Sequence, residues 1–130
     1  MYADLYHARL LDHAKHPRNK CVLEHATAVV PVSNSSCGDA LTLYLAVRDE
    51  RIAEVSFTGE GCAVSQAAAS LLTEKVRGME IRAAAALTEA DVCALLGTEI
   101  APARRTCAFL ALKGLSRALS SCSNNTEIDK

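Results

Sequence analysis

The chain has 130 residues, half of them apolar, and its 14 Lys and Arg residues nearly balance 15 Asp and Glu residues for a net charge of −1. This length and composition predict one domain with ample core material, and the missing basic excess argues against nucleic-acid binding. Charges interrupt every apolar run well short of a membrane span, and residues 1–16 lack the apolar segment of a signal peptide. We therefore expect a cytoplasmic protein that does not span a membrane.

The first part of the chain predicts a helix and an edge strand. Residues 2–16 place apolar side chains at helical spacing, and Pro17 ends this helix because the residue before a proline is forced out of the α region. The stripe is imperfect, which favours a helix that docks on a body or a partner over one buried in a core. Residues 26–32 predict a short strand at a sheet edge, since Pro31 has no amide N–H to donate.

The remaining elements predict a hairpin followed by helices. Apolar residues alternate in 40–58 around the charged turn at 48–51, which indicates two antiparallel strands. Helix formers, a capping box at Thr88 and glycine stops predict helices at 63–77, 80–86, 88–96 and 103–119. We expect a single domain at 1–119 and a polar, flexible tail at 120–130. The order predicts an α+β fold, with a small antiparallel three-stranded sheet packed against about four or five helices.

The cysteines of this chain are expected to have roles other than disulfide formation. The six cysteines are Cys21, Cys37, Cys62, Cys93, Cys107 and Cys122. In a reducing compartment such cysteines are metal ligands, reactive thiols or core residues more often than disulfides. One lies in the loop sequence SNSSCGD, one ends a Gly-x-Gly loop at a helix start, and one lies in the first turns of the last predicted helix. A helix N-terminus favours the thiolate over the thiol.

Asp39 lies two residues after Cys37, so it is a candidate to share a site with Cys37, Cys62 and Cys107. Three thiolates and a carboxylate suit a tetrahedral zinc ion, and three cysteines suit an iron–sulfur cluster equally well. The spacing contains no Cys-x-x-Cys pair, so the residues alone leave open a zinc site, a cluster site and three unrelated cysteines.

Other candidate ligands have simpler interpretations. His7, His13 and His16 lie on or near the first helix, where we expect solvated or partner-facing side chains and not metal ligands. Cys93 lies in an apolar run and is expected in the core. The sequence near Cys21 and near Cys122 suggests no specific role for either cysteine.

The order of several motifs resembles the iron–sulfur cluster assembly scaffold family of IscU, SufU and the N-terminal domain of NifU. After the opening helix, the matching segments are HPRN at 16–19, NSSCGD at 34–39, FTGEGCAVSQAAASLLTE at 57–74 and PARRTCAFLALKGL at 102–115. The resemblance covers the chain up to about Leu119. It is specific because all of these motifs occur in the same order, whereas no single motif would be specific.

The resemblance implies that Cys37, Asp39, Cys62 and Cys107 gather at one exposed end of an α+β domain as ligands of zinc or a [2Fe–2S] cluster. It implies that persulfide sulfur arrives from a PLP-dependent cysteine desulfurase, with Cys37 and Cys107 as the leading acceptors. A labile cluster would then pass to apo iron–sulfur proteins, or sulfur would be relayed with zinc bound. Arg104 would place positive charge beside this anionic site. We expect a scaffold more than a true enzyme, monomeric or weakly homo-oligomeric, with sulfurtransferase activity as an alternative.

Departures from the family pattern place the chain between its subtypes. Thr106 stands where IscU-type members have a histidine, and residues 100–104 replace a chaperone-docking sequence similar to Leu-Pro-Pro-Val-Lys. Pro-Ala-Arg before Cys107 resembles SufU, but the 44 residues between Cys62 and Cys107 leave no room for the additional SufU segment. Two alternatives to a scaffold stay open: a binding module with structural zinc, and a thiol redox enzyme, which the missing Cys-x-x-Cys pair disfavours.

Overall fold

The structure is a computed structural model that describes residues 2–34, 38–97, 100 and 102–128. Its elements are helix α1 (Tyr2–Lys15), strands β1 (Ala28–Asn34), β2 (Asp39–Arg48) and β3 (Arg51–Glu60), and helices α2 (Ala63–Val76), α3 (Ile81–Ala85), α4 (Glu89–Leu96), α5 (Arg105–Ala108) and α6 (Leu110–Ile128). A 3-10 turn at Pro102–Arg104 precedes α5. The predicted α+β class with a three-stranded antiparallel sheet is confirmed. None of the helices in these ranges is long and apolar enough to cross a membrane.

The sheet has the order β1-β2-β3, and one face of it forms the main core. Alternate residues of β2 (Leu41, Leu43 and Leu45) are at most 2% exposed, as the predicted alternation requires. Phe57 on β3 is completely buried with them. Helix α6 packs on this face so closely that a Cβ at Gly114 would lie 2.8 Å from Leu43 Cδ2. The core thus forms between the sheet and the helices that cover it.

The last helix is longer than the sequence predicted. Its predicted end at Leu119 is wrong, because α6 continues to Ile128. Leu115, Leu119 and Cys122 follow one another at helical spacing and are each 2% exposed. The buried apolar stripe therefore continues beyond the predicted helix end at Leu119. Burial raises the pKa of the Cys122 thiol, which keeps it protonated. The predicted continuous helix at 103–119 is also interrupted, since α5 ends before Phe109 and α6 begins after it.

Polar contacts attach α1 to α2. His13 is only 6% exposed, and its Nδ1 lies 2.7 Å from Ser70 Oγ. The backbone N–H of Arg18 donates to the same Oγ at 2.8 Å, so the Ser70 hydroxyl can donate to His13 Nδ1. The expectation of a solvated or partner-facing His13 is therefore wrong, because this position of α1 faces α2 of the same chain. His16, one turn further along the chain, is exposed as expected.

The HPRN sequence forms the turn that follows α1. Asn19 has a φ of +60°, its Nδ2 donates to Thr73 Oγ1 on α2 at 3.2 Å, and its carbonyl accepts the Phe57 N–H on β3 at 3.0 Å. Asparagine tolerates this left-handed conformation better than most residues. The turn therefore joins α1, α2 and the outer edge of β3.

We expect the metal-free protein to lose stability as the pH falls below 6.5. Burial lowers the pKa of His13 from its ordinary value of 6.5, with a smaller contribution from the charge of Arg18. The unfolded chain then binds a proton more readily than the native chain, so the free energy of unfolding declines from pH 6.5 down to the native pKa. Urea unfolding in EDTA between pH 8 and pH 5 measures this slope. It should flatten in His13→Gln but not in His16→Gln, and an equal slope in all three proteins would contradict the prediction.

Candidate metal centre

Three of the four predicted ligands lie together at the end of the sheet opposite the β2–β3 turn. One carboxylate oxygen of Asp39 and the sulfurs of Cys62 and Cys107 lie within 4.8 Å of one another. Asp39 begins β2, Cys62 is the N-cap of α2, and Cys107 lies in α5. Asp39 is 2% exposed and Cys107 is fully buried, so Cys62, which is half-buried, is the most accessible of the three.

The other candidates are placed less directly. Cys37 lies outside the described residues, so the structure describes three of the four predicted ligands. Arg104 is exposed in the 3-10 turn before α5, and Thr106 is exposed beside Cys107. Cys93 is half-buried and packs against the apolar cluster between α1, α2 and α4.

Asp39 and Cys62 contact each other through two pairs of atoms. The backbone N–H of Cys62 donates to Asp39 Oδ1 at 2.9 Å, and the Cys62 thiol lies 3.7 Å from Asp39 Oδ2. The Cys62 side chain makes no capping hydrogen bond, so the Asp39 carboxylate supplies the acceptor at this helix start.

Residues of the Gly-x-Gly loop and of the first turn of α2 support this arrangement. Gly59 has a φ of +119°, and a Cβ there would overlap the Ala40 carbonyl oxygen and lie 2.9 Å from Leu41 Cα. Ser65 is 1% exposed, and its hydroxyl donates to the Cys62 carbonyl at 3.0 Å. Sequence inspection did not select Ser65, although a serine three residues after an N-cap was a local signal that pointed to it.

The donor set fits the metals that the sequence suggested. Thiolate sulfur and carboxylate oxygen both bind zinc, and cysteine thiolates are the usual ligands of iron–sulfur clusters. Two sulfurs and one oxygen converge here from segments that are far apart in the sequence. The group is therefore a candidate metal centre, and its chemistry suits either species.

Comparison with known proteins assigns the family. The model of the NifU-like N-terminal domain matches residues 5–128. This chain belongs to the NifU-like N-terminal domain family. The resemblance seen in the sequence is thereby confirmed. In this NifU-like domain, the two candidate cysteine ligands that the structure describes, Cys62 and Cys107, both lie inside the matched range.

Relatives of this NifU-like domain carry names from both subtypes. The zinc-dependent sulfurtransferase SufU of Bacillus subtilis is 32% identical over 133 residues, which cover 89% of this chain and 90% of that protein. The iron–sulfur cluster assembly scaffold protein IscU 1 of Archaeoglobus fulgidus is 35% identical over 127 residues, 97% of this chain and 82% of that protein. A crystal structure of FiSufU from Fervidobacterium islandicum, a candidate scaffold for the SUF system, matches with a TM-score of 0.72 and 28% identity, covering 85% of this chain and 93% of that one. Overall similarity therefore supports the family without selecting a subtype.

Proposed function

We propose that this protein is an iron–sulfur cluster assembly scaffold, which accepts persulfide sulfur from a cysteine desulfurase and passes a labile [2Fe–2S] cluster to apo-proteins. The observation that carries the proposal is the convergence of Asp39, Cys62 and Cys107 within 4.8 Å. Membership of the NifU-like N-terminal domain family and the scaffold names of its relatives support it.

The cluster is the cargo of the proposed reaction, and Cys37, Asp39, Cys62 and Cys107 are its proposed ligands. A carboxylate is a harder and less tightly held donor for iron than a thiolate, so a site with three sulfurs and one oxygen releases its cargo more readily than four cysteines would. The exposed Arg104, three residues before Cys107, is proposed to offset the negative charge of the loaded site.

Sulfur transfer to the scaffold requires a thiolate at the acceptor. The acceptor thiolate attacks the outer sulfur of the donor's persulfide, a new S–S bond forms on the scaffold, and the donor cysteine leaves as a thiolate. Cys37 and Cys107 are the proposed acceptors. Because Cys107 is fully buried, its attack requires the site to open, whereas the half-buried Cys62 needs less rearrangement.

A zinc-dependent sulfur relay is the second candidate function. The mixed sulfur and oxygen donor set favours it, because these are ordinary zinc ligands, and the Bacillus subtilis relative is named as a zinc-dependent sulfurtransferase. Bound zinc would hold the cysteines as thiolates. A domain with purely structural zinc would bind the same metal but would take up no sulfur.

Anaerobic purification followed by metal analysis, visible spectroscopy and desulfurase-dependent sulfur labelling tests these alternatives. We expect zinc or iron in the protein and persulfide on a site cysteine. Both should be strongly reduced in Cys62→Ser and Cys107→Ser, and also in Cys37→Ser. Cys21→Ser is the matched control, since Cys21 is exposed and lies outside the cluster of ligands. Unchanged metal and sulfur uptake in all three site variants would refute the proposal, and metal without labelled sulfur would favour structural zinc.

A further inference from the structure

Side chains of the candidate site already occupy the space that a side chain at Gly61 would need. A Cβ at Gly61 would lie 2.9 Å from Asp39 Oδ1 and 3.1 Å from Asp39 Cγ, and closer still to Ser65 Oγ. The first two distances are shorter than ordinary carbon contacts, so a side chain here requires a neighbour to move. Gly61 does not share the left-handed φ of Gly59, so the restriction is one of space and not of backbone conformation.

The carboxylate that occupies this space is held in a specific orientation. Oδ1 accepts the Cys62 N–H at 2.9 Å, and Oδ2 is the oxygen on the side of the Cys62 thiol, at 3.7 Å. Oδ2 is therefore placed to act as the ligand atom while Oδ1 stays bound to the backbone. The Ser65 hydroxyl lies on the other side of the same space and is held by its bond to the Cys62 carbonyl.

We infer that Gly61 is a positioning residue, whose missing side chain lets the Asp39 carboxylate lie against Cys62 and join the sulfurs as a metal ligand. The inference rests on the proposed function, because it assumes that this group binds metal. It adds that Gly61, the residue before Cys62, determines whether the Asp39 carboxylate can serve as the fourth donor. Gly61 does so by leaving room for the carboxylate, and charge plays no part.

Gly61→Ala should displace the carboxylate while the fold persists. The new methyl group meets the Ser65 hydroxyl and the Asp39 carboxylate, and each of them is held by one hydrogen bond. Even after the hydroxyl turns aside, the 2.9 Å approach to Asp39 Oδ1 still requires the carboxylate to move. This movement breaks the bond to the Cys62 N–H and withdraws Oδ2 from the sulfurs. Changes in the groups that orient metal ligands typically lower metal affinity 10–100-fold, and we expect about this loss for Zn²⁺ and Co²⁺.

A double-mutant cycle at Gly61 and Asp39 tests whether the effect of Gly61 on metal affinity is transmitted by Asp39. The Co²⁺ affinity of each variant is measured in competition with a chromophoric chelator. If Gly61 acts through Asp39, Gly61→Ala should weaken Co²⁺ binding in the native background and cause little further loss in Asp39→Ala. Ser65→Ala should reduce the cost of Gly61→Ala, because the methyl group can then move into the vacated space. Gly78→Ala is the control for glycine replacement away from the site, since nothing lies within 4 Å of a Cβ there.

Hydrogen exchange of the Cys62 amide in metal-free protein gives a second readout that does not depend on metal. Exchange should accelerate in Gly61→Ala and in Asp39→Ala, because both remove the acceptor from this N–H. Unchanged Co²⁺ affinity, or additive losses in Gly61→Ala/Asp39→Ala, would overturn the inference. If the native protein binds no metal, the proposed function fails and so does the ligand role of Asp39. Amide exchange then still decides whether Gly61 positions the carboxylate.

Discussion

Replacement of Gly59 by alanine is expected to lower the free energy of unfolding by about 3–5 kcal/mol. Gly59 has a φ of +119°, which a residue with a side chain rarely adopts, and its Cβ would overlap the Ala40 carbonyl oxygen on β2. Ala40 belongs to the strand backbone, so it cannot move away without disturbing the pairing of Leu41 with Gly59. Urea unfolding of the metal-free protein measures the loss.

Gly78→Ala is the matched control for this prediction. Gly78 also has a left-handed φ, of +87°, but a Cβ there meets nothing within 4 Å. It should therefore show the backbone strain of about 1–3 kcal/mol without the steric overlap. Equal losses of stability in the two variants would show that the close approach of β3 to β2 is not what requires glycine at position 59.

Zinc is expected to stabilise the fold strongly through the proposed site. A ligand that binds only the native state at one hundred times its dissociation constant adds about 2.7 kcal/mol to the free energy of unfolding. For a domain of this size that gain corresponds to a rise in melting temperature of roughly 10 °C. Cys62→Ser should lose most of the rise, because one of the proposed ligands is then absent. Thermal unfolding with and without Zn²⁺ measures both values.

Cys21→Ser controls for the loss of a thiol, since Cys21 is exposed and lies on the segment beside the edge of β3. Its zinc-dependent rise in melting temperature should match that of the native protein. A full rise in Cys62→Ser would show that zinc binds elsewhere. Complete unfolding on chelation would instead favour the structural-zinc alternative, because the apo-domain would then lack a stable fold.

Features that depend on neighbouring residues were predictable from the sequence. Alternation in β2 placed Leu41 and Leu43 on the buried face, and both are 2% exposed. The predicted capping box at Thr88 is confirmed, with its hydroxyl accepting the Asp91 N–H and the Asp91 carboxylate accepting the Thr88 N–H. Gly97 adopts the left-handed conformation that ends α4. Each of these features involves atoms close together along the chain.

Features that depend on packing between distant elements were not predictable in the same way. The sequence indicated a His13 side chain that faces solvent or a partner, but Ser70, 57 residues away, provides a buried hydrogen-bond partner within the chain. Polar composition after Leu119 indicated a helix end, whereas Cys122 is buried against the sheet. Cysteine spacing alone did not bring Cys62 and Cys107 together; the family resemblance suggested it, and tertiary contacts place the two sulfurs close to each other.

The candidate ligands come from distant parts of the chain, with Asp39 and Cys62 23 positions apart and Cys107 in the last quarter of the sequence. During synthesis, the first two therefore leave the ribosome well before the third is available. A nascent or truncated chain that stops before α5 has an incomplete set of donors and cannot hold cargo in the proposed manner. Under the proposed function, a site that can be loaded therefore exists only in chains that have been synthesised through α5 and have folded.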